Sequence, residues 1–174
     1  RRFVRGDVKD VTAALKGAQD IIAETVSENE QSRRLVRGVF SREAVITSKV
    51  VPSKKEEDGA AKYADYFDLS EPLRRCPGNR LLAMRRGENE GFLRVSISID
   101  SAEVIERLQR HYVKGGGKCA QLVSEAVEDA YKRLIEPSVE NEFAAASKEK
   151  ADEEAIGVFA ENLRQLLLSA PLGQ

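Results

Sequence analysis

Between Pro77 and Ile99 the chain changes its period, and that change limits the folds open to it. Pro77 and Gly78 interrupt the chain, after which Leu81, Leu82 and Met84 recur at helical spacing. Gly87 and Gly91 bracket a charged turn, Glu88-Asn89-Glu90. Past Gly91 the period is two: Leu93, Val95, Ile97 and Ile99 face one way, and Arg94, Ser96 and Ser98 the other. A strand with one apolar face needs a partner strand. Ala44–Val51 has the β-branched content and alternation to supply it. The spacing therefore predicts a small two-stranded β element, Ala44–Val51 paired with Phe92–Ile99, packed on helices.

The flanking segments read as helix. Asp7 is placed as an N-cap with Asp10 three residues on, and Val8, Val11, Leu15, Ala18, Ile22 and Val26 form one apolar face. A second helix is expected from Glu28, with Leu35, Val36, Val39 and Phe40 inward and Arg33, Arg34 and Arg37 outward. Pro52–Gly59 is a charged loop, and Ala60–Phe67 a short helix whose aromatics Tyr63, Tyr66 and Phe67 suit core packing better than base stacking, because Asp65 and Asp68 adjoin them. Asp100 caps a further helix, with Glu103 set for a capping box and Val104, Ile105, Leu108 and Tyr112 inward. After the glycines at 115–117, Lys118–Leu134 continues as helix. Pro137 suits the first turn of a last one, which nothing but Gly157 interrupts up to Ser169. The fold class is mainly α: a multi-helical domain with a small two-stranded β element over residues 1–135, and a long C-terminal helix with linker over 136–174.

A length of 174 residues, 41% hydrophobic and 33% charged, suits one domain or one domain with an extension. No apolar run is long enough for a membrane span and no signal peptide is visible, so a cytoplasmic protein without membrane contact is expected. Cys76 and Cys119 stand apart with no ligand pattern, as incidental thiols in a reducing compartment would. The net charge of −1 is uneven: residues 1–50 carry ten Lys and Arg against seven Asp and Glu, residues 51–100 are balanced, and the remainder is acidic. Phosphate contact is thus expected from the first hundred residues, where arginines cluster at Arg33, Arg34 and Arg37 and at Arg74, Arg75, Arg80, Arg85 and Arg86. A solvated helix face is the simpler account of the first cluster.

Catalytic patterns are not evident. His111 is the single histidine and lacks a Cys or carboxylate at metal spacing. The Gly115–Gly117 run before Lys118 lacks the rest of a phosphate-loop motif. Glu140, Glu142 and the acidic run 152–154 lie along one helix rather than converging. The helix, glycine turn and helix around residue 115 permit a DNA-reading helix-turn-helix, but Glu125, Glu128 and Asp129 on the second helix would face the polyanion. Neither a catalytic residue, a metal nor a cofactor is expected.

Three blocks carry a resemblance. LLAMRRGENEG, over 81–91, is similar to the AMxRGxNEG segment of the bacterial Tex family of transcription accessory proteins. AVITSKVVPSKKEEDGAAKYADYFD resembles that family's strand, charged loop and YFD segment, and EKADEEAIGVFAENLRQLLLSAPLG resembles its helix leading into an RNase H-like domain. The match runs from about Asp7 to Gly173. It implies a fragment from the amino-terminal, mainly helical half of a longer protein, consistent with a chain that begins at Arg1 without Met. The family's RNase H-like, helix-hairpin-helix and OB-type RNA-binding domains would follow Gln174. The implied function is a non-enzymatic scaffold module that positions those domains, with at most weak phosphate contacts and RNA or DNA bound through the intact protein. The alternative is a protein-interaction module docking on the transcription machinery.

Overall fold

The structure, a computed structural model, describes residues 10–169. The chain is mainly α and divides into two compact units, residues 1–42 with 99–141 and residues 43–98 with 142–174.

The first unit is helical. Helix α1, Val11–Glu28, is capped by Asp10, whose carboxylate accepts the Ala13 N–H at 2.7 Å. The expected cap at Asp7 lies outside the described residues. Asn29 turns extended and accepts the Gln31 N–H at 2.8 Å, which starts α2, Glu30–Glu43. Helix α4, Ser101–Tyr112, begins at Asp100, which accepts the Ala102 N–H at 3.0 Å. Glu103 does not complete a capping box; it pairs one turn on with Arg107 instead. After a turn with positive φ at Gly115 and Gly117, α5 runs from Lys118 to Asp129. Val26, Val36, Val104, Leu108, Val127, Tyr131 and Val139 are buried.

The expected break before Pro137 takes another form. Helix α5 passes through a π-helical turn, Ala130–Ile135, directly into α6, Glu136–Leu168. Proline lacks an N–H and its ring crowds the carbonyl four residues back, so a widened turn just before it keeps the helix going without a loop. The Tyr131 hydroxyl donates to Glu136 at 3.2 Å from within this turn, and the Ser101 hydroxyl donates to the same carboxylate at 2.9 Å. Burial pushes the Tyr131 phenol up to about 12.

In the second unit, β1 (Val45–Val50) pairs antiparallel with β3 (Leu93–Ser98), as the alternation predicts. The β element has three strands rather than two. Asp68–Pro72 adds β2 on the other side of β1, giving the order β2-β1-β3. That segment has no β-branched residue and ends in proline, and such sequences survive only on a sheet edge. Ile46, Leu93 and Ile97 are buried on the core face, with Val95 half-buried beside them. Tyr63, in a 3-10 helix spanning Ala60–Tyr66, is buried too, its ring centroid 6.0 Å from that of Phe92. Core packing is therefore the role of this aromatic.

Helix α3, Gly78–Asn89, reaches β3 through the two glycines singled out in the sequence. The Phe92 N–H bonds the Gly87 carbonyl and the Gly91 N–H that of Glu88, both at 2.9 Å, a Schellman closure with Gly91 at φ 81°. Glu88 then accepts the Val95 N–H at 3.3 Å, fastening the helix end to the strand.

Candidate nucleic-acid interface

The structure sorts the eight arginines by what they already bind. In the first unit, Arg33 donates from Nε to the Ser27 carbonyl at 2.8 Å and from its guanidinium to Ser138 at 3.1 Å, tying α1, α2 and the start of α6 together. Arg34 pairs with Glu30 one turn back at 2.7 Å, both side chains open to water. Arg37 is half-buried and engaged. Of these three, Arg33 is committed to the packing of the unit, whereas Arg34 stays at the surface.

In the second unit, Arg80 reaches Glu71 at 2.6 Å and Arg85 reaches Glu88 at 2.8 Å; both are half-buried. Glu71 also faces the Cys76 thiol, whose pKa burial pushes up to about 12, with the Glu71 carboxylate adding to the rise. Arg74, Arg75 and Arg86 are exposed and enter no ion pair among the described residues. Arg74 and Arg75 close the 3-10 turn after β2, while Arg86 rims a hollow of about 610 Å³ between α3 and α6, with Leu82, Ala155 and Val158 as its apolar lining.

The sheet adds two cations that the arginine clusters did not include. The register sets Lys49 of β1 directly opposite Arg94 of β3, with Asp68 of β2 on its other side. One row along, Thr47 stands between Ser70 and Ser96. The alternation of β3 already puts Arg94 and Ser96 on the outer face; the signal missed was that Lys49 arrives beside them once the strands pair.

Other candidates resolve into structure. His111 is exposed and meets the Tyr112 ring edge-on at 4.9 Å. Within the described residues there is no cluster of His, Cys, Asp and Glu that could hold a metal ion. The second helix of the would-be helix-turn-helix, α5, packs against α1 and α4, with Gln19 of α1 bonded to Glu125 at 3.3 Å. Its nearby cations are neutralised: Lys132 pairs with Glu128 at 2.6 Å and Arg133 with Asp129 at 2.9 Å. No described helix is long and apolar enough to cross a membrane.

Comparison with known proteins gives a consistent answer. The Tex central region-like family model matches residues 1–159. An uncharacterised Bacillus subtilis protein, YdcI, is 36% identical over 91% of this chain. The transcriptional accessory protein Tex of Neisseria gonorrhoeae is 34% identical over 99% of it, and the human S1 RNA-binding domain-containing protein 1 is 27% identical over 98%. The chain spans 22%, 23% and 18% of the lengths of these three relatives.

Proposed function

Because the chain belongs to the Tex central region-like family, we propose that it is a scaffold module of a nucleic-acid-binding transcription accessory protein, acting in the cytoplasm without catalytic chemistry of its own. Its work is to position neighbouring RNase H-like and OB-type domains of the same polypeptide, with weak phosphate contacts from Arg74, Arg75 and Arg86. The observation that carries this reading is the outer half of α6. Ile156, Phe159, Leu166, Leu167 and Leu168 are 68–75% exposed, and Leu163 44%. An apolar patch of that extent marks an interaction surface. Within it Ile156, Phe159, Leu163 and Leu166 recur at three- and four-residue spacing, as a helix that docks along its length requires, while Val158 and Leu168 stand off that stripe.

The test is amide hydrogen exchange over 156–168 in this chain and in a full-length relative. Slower exchange in the longer protein supports docking of a neighbouring domain. Equal exchange in both overturns it.

A further inference from the structure

We infer that the outer face of the three-stranded sheet is a second phosphate-binding site, at which Lys49 and Arg94 hold the sugar-phosphate backbone of a nucleic acid. This rests on the reading of the module as part of a nucleic-acid-binding protein, but on different residues.

Two cations directly opposite each other on neighbouring strands repel and destabilise the pair. Both are exposed, and neither enters an ion pair among the described residues. Asp68, across from Lys49, offsets one charge and leaves the row at a net +1. An anion seated between the two cations relieves their repulsion. The neighbouring row supplies hydroxyls: those of Thr47 and Ser70 share a hydrogen bond at 3.4 Å, which leaves one of their two protons to donate outward, and Ser96 flanks Thr47 on the other side. Thr47, Lys49, Pro52, Arg94 and Ser96 line a shallow hollow of about 400 Å³. Cations beside hydroxyl donors are the groups that contact phosphate oxygens, and such contacts position a backbone without reading its sequence.

The sheet disfavours an acidic peptide as occupant. A peptide joins a sheet by pairing with an edge strand. Here Glu88 already takes the Val95 N–H of edge strand β3, and edge strand β2 ends in Pro72. Lys49 lies on the central strand, where a ligand crosses the face instead. That face carries no aromatic ring for base stacking, so the contact is with the backbone alone.

The experiment is fluorescence anisotropy with the full 174-residue chain, using labelled single-stranded oligouridine, a duplex RNA and polyglutamate over a range of salt. The Lys49→Gln/Arg94→Gln variant is expected to bind oligouridine about tenfold more weakly near physiological salt. Its salt-dependence slope should fall by about 1.4, the value for two phosphate contacts on a single strand. Its melting temperature should hold or rise as the repulsion is removed, and Lys49→Arg should retain binding. Unchanged affinity and slope in the double variant overturns the site. Loss of binding confined to the Arg74→Gln/Arg75→Gln/Arg86→Gln variant would do the same, while supporting the phosphate contacts proposed for those three arginines. Failure of the parent chain to bind either RNA, or polyglutamate binding with the same two-residue dependence, equally removes the nucleic-acid assignment.

Discussion

Gly87 is the position where the packing between α3 and β3 can be probed with one methyl group. A Cβ there would lie 2.5 Å from Leu93 Cδ1, 2.9 Å from its Cγ and 3.2 Å from Tyr63 Cδ1. Leu93 is 2% exposed and Tyr63 4%, so neither can swing aside into solvent. Overpacking of this kind costs about 1–3 kcal/mol. Against it stands the usual advantage of alanine over glycine within a helix, about 0.5–1 kcal/mol. The clash wins, and Gly87→Ala should lose about 1 kcal/mol. Gly17 in α1 provides the control, because nothing lies within 4 Å of its added Cβ. There the helical gain stands alone, and Gly17→Ala should be stabilising. The two variants should differ by about 2 kcal/mol, or roughly 4–8 °C in melting temperature. Thermal melting by circular dichroism reads the difference. Leu93→Ala, costly by itself, should largely suppress the defect of Gly87→Ala. Equal stabilisation by both glycine substitutions would refute the tight contact.

The sheet register predicts that Ile97→Asp, which buries an unpaired charge at a site 2% exposed, costs several kcal/mol, whereas Ser96→Asp on the outer face changes stability by less than about 0.5 kcal/mol; chemical denaturation separates them. Tyr131 makes stability pH-dependent. Its folded pKa, about 12, lies above the ordinary value of 10.0, so its contribution is complete below pH 10 and is lost as pH rises towards 12. Tyr131→Phe should lose about 1 kcal/mol at neutral pH with its hydroxyl contact to Glu136, and should decline less steeply than the parent in alkaline melts.

Local chemistry explains what could be read in advance. The β1–β3 pairing followed from alternation on both strands, and the α3–β3 junction from two glycines whose roles are set by backbone geometry. Strand β2 escaped because Asp68–Pro72 carries no strand propensity; its neighbour β1 makes it a strand. The apolar face of α1 was visible, yet Val11 is 50% exposed and Leu15 45%, with burial beginning only at Ala23 and Val26. Periodicity identifies a face but not whether anything covers it. The arginines illustrate the same limit. Arg80 and Arg74 look alike in sequence, and only the fold brings Glu71 to the first and leaves the second open.

Whether the exposed half of α6 docks within its own polypeptide is tested most directly by placing a photo-crosslinking amino acid at the position corresponding to Phe159, which is 69% exposed, in a full-length relative. The crosslinked site is then mapped by mass spectrometry in cell extract. The account predicts crosslinks within the same polypeptide, in sequence beyond the segment matching this chain. Crosslinks exclusively to a separate protein of the transcription machinery would contradict it and make the helix a partner-docking element instead.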